Sequence, residues 1–405
     1  MASRCITQRL LLFSEVTICF LPAFPGHVSP APAFSSLRDS RTRFSHPRLP
    51  AIREQAGLNE AEIGMLILYF GLAALASLLV SATLVRRFGS RPLAIIFTIT
   101  LLLSITASCA ARDELFLACA FMCGGFSMGI ADVCINTQGM LLEMRFKSPS
   151  MSFLHGAYSF GALFGSLSGA LFASFSLSPM INAAVVLGCY SLLLTTASRG
   201  LQKDTVRPAS GTARAKKTHV PVFVICCGLL VSWAYAADGS VAEWGSLYLF
   251  SCRGADEETA ALAYGAFSVT SGVFRLFDDR LRSLWGDMRL SVGGALLAFG
   301  GMAIALVSPE PWFCLAGYCL MGMGLSPMVP IFFSRAGSCP GVAPEQASAA
   351  VSLLGYSGLL LFPPTLGFLG RTLGLDRALL VPLGLCALLA LGAFCTLKFR
   401  RALHG

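Results

Sequence analysis

Long apolar blocks, separated by short hydrophilic stretches, fill most of the chain from residue 63 onwards. A helix of about 20 apolar residues crosses the ~30 Å hydrocarbon core of a bilayer, because each helical residue rises about 1.5 Å. The pattern therefore predicts an all-α membrane protein with eleven transmembrane helices. We place them at residues 63–84, 92–111, 115–139, 151–175, 180–197, 220–250, 260–277, 290–308, 312–333, 348–369 and 379–397.

The composition agrees with a chain that lies largely within lipid. Hydrophobic residues make up 55% of the 405 residues, charged residues make up 13%, and the mean hydropathy is +0.71. A soluble domain of this composition would have too little polar surface. The net charge of +9 would fit nucleic-acid binding, but Lys and Arg lie in the joints and tails. We therefore predict a lipid bilayer as the surroundings and no nucleic-acid partner.

The distribution of Lys and Arg predicts an orientation in the membrane. Every second joint lies on the same side of the membrane as the C-terminal tail. Together, these segments carry three times as many Lys and Arg residues as the joints on the opposite side. Cytoplasmic loops are enriched in Lys and Arg. We therefore predict a cytoplasmic C-terminus, whereas the sequence does not distinguish the plasma membrane from an organelle membrane.

An internal repeat divides the chain into two halves. The joint Leu84–Arg91 aligns with the joint Arg275–Arg282 at an offset of 193 residues when Arg87 is matched to Arg280. We assign residues 48–198 and 220–397 to the two helical halves, 199–219 to a basic cytoplasmic linker and 398–405 to a cytoplasmic tail. Residues 1–47 fit a targeting leader, a degenerate first span or an incorrectly joined segment.

The first joint places arginines around Gly89, and the second has arginines with an acid and continues to Gly286. This pattern resembles the loop motif of the major facilitator superfamily, at the end of the second helix of each half. Segments 48–64, 132–138 and 238–248 are similar to an uncharacterised bacterial-type branch that borders the fucose-permease-type sugar–proton symporters. The residues that this resemblance assigns to gating loops are Arg87, Gly89, Arg91, Arg275, Asp279 and Arg280.

The resemblance implies a bundle of two six-helix halves that transports a solute by alternating access, as a monomer. Two features depart from the family pattern. The first helix, expected before Arg48, is missing or degenerate, and Arg86 stands where the superfamily often has Asp. The first departure alters one wall of the expected cavity, and the second weakens the case for salt-bridge gating at the first joint.

Asp132 and Asn136 are candidates for binding a solute or a proton in the first half. They lie four residues apart, about 40° around a helix, and therefore share a face that Gly125 and Gly129 continue. Because an ionised carboxylate is costly in a membrane, we expect Asp132 to face protein or water and to accept a proton. Gln138 is a further candidate, on a different side of the helix. The alternative for this set is a polar clamp between helices.

In the second half, Asp238 and Glu243 lie within the predicted span 220–250. We expect Gly239 to interrupt that helix, because broken helices border many transporter sites. Five residues apart, the two acids cannot both face one site on a regular helix. Trp233 and Trp244 lie nearby and fit either stacking on a sugar ring or anchoring at the membrane interface.

His155 is a lone imidazole near the start of the predicted span 151–175. A hydrogen bond to a neighbouring helix and a proton-relay role both fit such a residue. Gly161, Gly165 and Gly169 follow at spacings that permit close helix contact.

Arg275 lies beside Asp278 and Asp279, which favours a gating clamp over substrate binding. Four prolines are expected to break or kink the helices near the C-terminus: Pro327, Pro330, Pro363 and Pro364. Kinks of this kind either permit rocking between inward-open and outward-open states or form fixed bends.

The function favoured by these residues is secondary active transport of a small polar solute, such as a sugar moved together with protons. No nucleotide-binding or hydrolase motif is present, so we predict neither an enzyme nor a bound cofactor. The Cys and His spacings match no metal site. Two alternatives are a drug–proton exporter and a non-transporting membrane protein, either a receptor or a degenerate carrier.

Overall fold

A computed structural model describes residues 60–156, 171–172, 175, 177–197, 201–202 and 220–404, and every regular element in these residues is helical. In chain order the helices are α1 (Glu60–Phe88), α2 (Ser90–Ala110), α3 (Glu114–Phe146), α4 (Pro179–Ala197), α5 (Val222–Arg253), α6 (Glu257–Trp285), α7 (Asp287–Val307), α8 (Pro311–Leu325), α9 (Met328–Gly337), α10 (Pro344–Leu373), α11 (Leu375–Ala378) and α12 (Leu380–His404). A short helical segment at 151–156 lies between α3 and α4. The all-α prediction is confirmed.

Nine stretches in the described part of the chain are long and apolar enough to cross a membrane. They match nine of the eleven predicted helices, and α8 and α9 together form one of them, Pro311–Gly337. The helix predicted at 180–197 is α4, whose apolar part, Met180–Leu192, is shorter. Most of the helix predicted at 151–175, with its glycine repeat, lies outside the described residues, as do residues 1–59 and nearly all of the predicted linker.

The helix break predicted at Gly239 is wrong, because α5 runs from Val222 to Arg253 without interruption. Pro363 and Pro364 likewise lie inside α10, which continues past them. An unpaired backbone N–H or C=O group costs several kcal/mol in lipid, so membrane helices stay regular through residues that often end soluble ones. Pro327, in contrast, lies in the turn between α8 and α9, where the sequence predicts a break.

The joint between α5 and α6 is defined by local backbone chemistry. Gly254 ends α5 in the left-handed conformation, with φ of 66°. Asp256 then caps α6, because its Oδ1 accepts a hydrogen bond of 2.7 Å from the Thr259 N–H. This bond stabilises the ionised carboxylate and lowers the pKa of Asp256 from its usual value. The two helices therefore meet in a short, polar, well-defined turn.

The chain folds as two compact units, and the division between them crosses α3. One unit comprises Met1–Ile135 and Ala157–Val206. The other comprises Asn136–Gly156 and Arg207–Gly405. The second unit thus includes the end of α3 and the segment 151–156. The domain boundaries taken from the sequence stay a prediction.

In the first unit, α3 packs closely on α1 through two glycines. A Cβ on Gly125 would come within 2.8 Å of the Phe70 carbonyl carbon, and one on Gly129 within 2.7 Å of the Ala74 oxygen. Side chains at these two positions would therefore overlap α1. The face of α3 that carries Gly125 and Gly129 serves helix packing here.

In the second unit, α7 and α8 also pack through paired glycines. A Cβ on Gly301 would lie 2.7 Å from the Met321 nitrogen, and one on Gly294 would lie 2.5 Å from the Gly324 oxygen. Small residues let helix backbones approach closely where lipid supplies no hydrophobic driving force between helices. These contacts make α7 and α8 a tightly packed pair beside α6.

Candidate functional site

A stripe of polar residues runs along one side of α6. Ser271, Arg275, Asp278 and Arg282 follow one another at intervals of four, three and four residues, which place them on one helical face. Ser271, Asp278 and Arg282 are buried, with 3%, 2% and 8% of their surface exposed, and Arg275 is half-buried. Ionisable residues in membrane-spanning helices usually face the protein interior, and this stripe follows that rule.

Arg275 is the centre of a group of ionisable side chains. Its guanidinium interacts electrostatically with Asp238 of α5, with Asp278 on its own helix and with His155. The segment that carries His155 packs against α6 at this level, because a Cβ on Gly156 would lie 3.6 Å from the Arg275 Cβ. Asp238 and His155, which the sequence singles out separately, thus lie within electrostatic range of Arg275. Asp278 also lies within electrostatic range of Arg275.

Asp279, for which the sequence predicts a gating role that stays a prediction, contacts the backbone of the segment 151–156. Its two carboxylate oxygens accept hydrogen bonds from the backbone N–H groups of Ser152, at 3.2 Å, and Phe153, at 3.0 Å. It therefore stabilises the first turn of the segment 151–156, as a negative charge at a helix start does. Arg280, the other predicted gating residue in this joint, is exposed.

The end of α6 carries a second cluster, which we name the Arg282 cluster and which sequence reasoning missed. Arg282 Nε lies 2.6 Å from Asp287 Oδ1, and Arg282 Nη1 lies 3.2 Å from Glu143 Oε1. Arg282 Nη2 donates to the Ser334 hydroxyl at 2.5 Å. Ser334 in turn donates to Glu143, and Arg335 pairs with Asp287. The cluster joins α3, α6, α7 and α9.

Glu143 also connects the cluster to the segment 151–156. Its Oε1 accepts hydrogen bonds from the N–H groups of Ser150, at 2.7 Å, and Met151, at 3.1 Å.

A cavity of about 300 Å³ lies beside the cluster. The residues that line it are Met140, Glu143, Met144, Lys147, Ser148, Pro149, Arg282, Asp287, Ser334, Arg335, Gly337 and Ser338. Three cations, two acids and three hydroxyls make this cavity polar, at the end of α6 that the sequence predicts to be cytoplasmic.

The candidates on α3 are all buried. Asp132, Asn136 and Gln138 have 7%, 5% and 0% of their surface exposed. Asp132 and Asn136 lie one turn apart on a continuous helix, as predicted. The same face carries Gly125 and Gly129, which contact α1. A role for Asp132, Asn136 and Gln138 in binding a solute or a proton stays a prediction.

The remaining candidates on α5 lie where it packs against α10 and α12. Two ring carbons of Trp244 lie 3.1 and 3.2 Å from the position that a Cβ would occupy at Gly367. The indole therefore covers that glycine. Trp233 similarly lies over Gly392, at 3.5 Å. Glu243 is half-buried between these two levels. The tryptophan rings fill helix contacts, and this arrangement favours neither of the two roles predicted from the sequence.

The predicted gating residues of the first joint lie at the turn between α1 and α2. Gly89 has φ of 84° and donates its N–H to the Val85 oxygen at 2.7 Å. Arg87 is exposed, with its guanidinium 5.3 Å from the centre of the Phe88 ring. Arg91 is half-buried at the start of α2. A gating role for these three residues stays a prediction.

At the opposite end of the second unit, Arg253 forms a clamp that the sequence did not reveal. Its Nη2 donates to the Leu306 oxygen at 2.6 Å and lies 3.2 Å from Asp376 Oδ1. It also donates to the Tyr248 hydroxyl and stacks over that ring at 4.7 Å. The only sequence signal was a lone arginine before the glycine that ends α5. The clamp joins the ends of α5 and α7 to the short helix α11.

Comparison with known proteins identifies the family. The model of the Major Facilitator Superfamily matches residues 46–363. The chain belongs to this superfamily. An uncharacterised transporter of this type from Yersinia pestis is 28% identical over 82% of this chain and 86% of its own. The membrane protein MosC of Rhizobium meliloti is 30% identical over 82% of this chain and 81% of its own.

The fold is also that of solved members of the superfamily. The fucose–proton symporter FucP of E. coli superimposes with a TM-score of 0.71 at 13% identity, covering 98% of each chain. The family and the membrane fold predicted from the sequence are therefore confirmed. This superfamily member is a multi-pass membrane protein.

Proposed function

We propose that the chain is a secondary transporter that moves a small polar solute of the monosaccharide type together with protons. The observation that carries the proposal is the grouping of Asp238, His155 and Asp278 around Arg275 inside the membrane-spanning part of the second unit. Ionisable side chains are costly in a membrane and are kept there mainly for transport or proton transfer. The relation to a fucose–proton symporter supports the choice of solute and ion.

Arg275 has two carboxylates within electrostatic reach, one on each of two helices. When Asp238 of α5 is ionised, the guanidinium is shared between Asp238 and Asp278 of α6. When Asp238 accepts a proton, Asp278 alone balances the guanidinium, and the attraction between α5 and α6 at this level is lost. Proton occupancy then biases the position of α5, which is the two-state element that alternating access requires.

Uptake into proteoliposomes tests the proposal. Purified protein is reconstituted, an inward proton gradient is imposed, and uptake of radiolabelled L-fucose, D-xylose and D-galactose is measured with and without a protonophore. We expect accumulation of at least one of these sugars, and we expect the protonophore to abolish it. Equal sugar uptake with and without the proton gradient would contradict proton coupling. Concentration-dependent efflux of cationic dyes in place of sugar uptake would support the exporter alternative.

Asp132→Asn is expected to abolish accumulation while leaving sugar exchange intact. An amide keeps the shape of the carboxyl group but cannot take up a proton, so the carrier can no longer use the gradient. The measurement compares gradient-driven uptake with exchange of labelled for unlabelled sugar in the same vesicles. Asp256→Asn is the matched control, because Asp256 lies in the joint before α6 and an asparagine can cap that helix equally well. Normal gradient-driven uptake by Asp132→Asn would exclude Asp132 as the proton acceptor.

Asp238→Asn is expected to give the same separation of accumulation from exchange, because the attraction between Arg275 and α5 can then no longer change with proton occupancy. We also expect the pH dependence of exchange to be reduced, since one of the titratable groups near Arg275 is gone. Exchange rates measured across a range of pH at zero gradient provide the test. A pH profile and an accumulation ratio that both match the wild type would show that Asp238 takes no part in coupling.

A further inference from the structure

The cavity beside the Arg282 cluster is lined by more positive than negative side chains. Three cations and two acids face it, which leaves one positive charge in excess. Its volume of about 300 Å³ lies at the lower end of the range of about 300–1,000 Å³ that small-molecule sites occupy. The cavity is therefore large enough for a small ligand, and the chemistry of its lining decides which kind.

The two acids in the lining are already satisfied by donors of the protein itself. Asp287 accepts hydrogen bonds from Arg282 through Oδ1, at 2.6 Å, and from Arg335 through Oδ2. Glu143 accepts hydrogen bonds from Arg282 and two backbone N–H groups through Oε1, and from Ser334 through Oε2. A metal ion or an ammonium ligand would have to displace these donors. The lining therefore disfavours a cation as the occupant.

Lys147 supplies the positive charge in excess. It follows the last residue of α3, is exposed, and lines the cavity with its side chain. Its backbone has φ of 52°, in the left-handed region, where a residue with a Cβ is strained, and strain of this kind is found mainly at functional sites. Within the part of the chain that the structure describes, no acid or acceptor bonds to its ammonium group. The cavity thus offers a cation that the protein itself does not balance.

We propose that this cavity binds an oxyanion of the phosphate type between the Lys147 ammonium and the Arg335 guanidinium. Both groups form strong, charge-assisted hydrogen bonds with phosphate oxygens. A guanidinium has five N–H donors, so Arg335 bonds to Asp287 and to a ligand together. Phosphate fits better than a carboxylate because its oxygens point in several directions, towards donors that come from separate elements. A free phosphate compound and a phospholipid headgroup share this chemistry.

The site lies where two elements of the second unit end. Lys147 stands in the joint that follows α3, and Arg335 lies in the last turn of α9. A ligand bonded to both holds this joint against α9, next to the Arg282 cluster. These ends are on the side that the sequence predicts to be cytoplasmic, where phosphate compounds and phospholipid headgroups are both within reach. The inference concerns binding alone and does not rest on the proposed function.

Thermal unfolding of the purified protein in a neutral detergent tests the site with inorganic phosphate. A ligand that binds only the folded protein raises the unfolding midpoint in proportion to its occupancy. For a free phosphate compound as the natural occupant, we expect a saturable rise with potassium phosphate, and none with potassium acetate or chloride at the same ionic strength. An equal, saturable rise with acetate would overturn the choice of a phosphate-type ligand.

Lys147→Gln removes the unbalanced charge with little change in side-chain length. We expect the half-saturating phosphate concentration to rise at least about tenfold, which corresponds to 1.4 kcal/mol at 25 °C. Arg145→Gln is the matched control, because Arg145 is exposed two residues earlier but does not line the cavity. It should respond to phosphate as the wild type does. Equal responses of the two variants, whether both retained or both lost, would overturn binding of phosphate at Lys147.

Native mass spectrometry of the same three proteins tests the headgroup as the source. Each protein is released from micelles that contain phosphatidylglycerol or phosphatidylcholine of the same chain length, and the bound lipids are counted. For a phospholipid occupant, we expect the wild type and Arg145→Gln to retain more phosphatidylglycerol than Lys147→Gln, with no such difference for phosphatidylcholine, whose choline cancels the charge. If neither the phosphate response nor the retention of phosphatidylglycerol depends on Lys147, the site does not exist.

The outcome is separate from that of the transport experiments. Unfolding and lipid retention are measured without a transported solute or a proton gradient, so a failure of sugar uptake leaves the oxyanion site untouched. Conversely, loss of the site in these binding experiments leaves the proposed sugar–proton transport as it stands.

Discussion

Arg282→Ala is expected to destabilise the protein by about 3–5 kcal/mol, the loss seen when one partner of a buried ion pair is removed. The reason is the number of buried groups with which Arg282 forms ion pairs or hydrogen bonds. Its side chain is 7% exposed and contacts Asp287 and Glu143, whose own side chains are 6% and 12% exposed. Alanine would leave both carboxylates buried with fewer partners, and desolvated charge is costly.

The measurement is the thermal unfolding midpoint in detergent, followed by tryptophan fluorescence. Arg280→Ala is the matched control, because Arg280 lies on the same helix two residues away and is exposed. Solvent-exposed charges of this kind contribute about 0–1 kcal/mol. Arg282→Lys should recover part of the loss, since it keeps the charge but not the fork of donors. Equal midpoints for Arg282→Ala and Arg280→Ala would show that the cluster contributes nothing to stability.

Gly301→Ala should be the second severe variant, with a loss of about 1–3 kcal/mol or more from overpacking. A Cβ at this position would lie 2.7 Å from the Met321 nitrogen and 2.9 Å from the Leu320 Cβ. The first of these is backbone, which cannot rotate away. α7 and α8 would have to separate along their glycine contact, and the neighbouring α6 would lose part of its packing surface.

Gly300→Ala provides the control one residue away. A Cβ on Gly300 meets nothing within 4 Å, and alanine favours a helix over glycine by about 0.8–1.0 kcal/mol. We therefore expect opposite signs for the two variants, with Gly300→Ala neutral or stabilising. The comparison is made by thermal unfolding and by the yield of monodisperse protein after extraction. A Gly301→Ala variant as stable as Gly300→Ala would disprove the close approach of α7 and α8.

The membrane helices could be predicted because lipid imposes a strict rule on the sequence. A helix has to remain apolar over the thickness of the hydrocarbon core, so its position is visible without knowledge of its neighbours. The ends were less predictable. The span predicted at 260–277 extends to Trp285 in α6, because Arg282 lies buried in an ion-pair cluster instead of facing water. The break predicted at Gly239 failed for the related reason that lipid penalises an open backbone.

The candidate site was predictable where a charged residue stands out against apolar sequence. Asp238 was predicted as a site candidate in this way, and His155 was predicted because it is a lone imidazole. The Arg282 cluster was missed because Glu143, Asp287 and Arg335 lie at the ends of apolar blocks, where charged residues are usually solvated. Their pairing depends on which helix ends meet in the folded chain. Glu143 and Arg282, for example, contact each other although they lie more than 130 residues apart in the sequence.

The clamp made by Arg253 limits how the second unit can change shape. One guanidinium holds the final turn of α5, a carbonyl near the end of α7 and the Asp376 carboxylate of α11. If one of these helix ends moved alone, the Arg253 guanidinium would lose one of its contacts. Any movement that keeps these contacts therefore carries the ends of α5, α7 and α11 together, and bending is left to positions further along the helices.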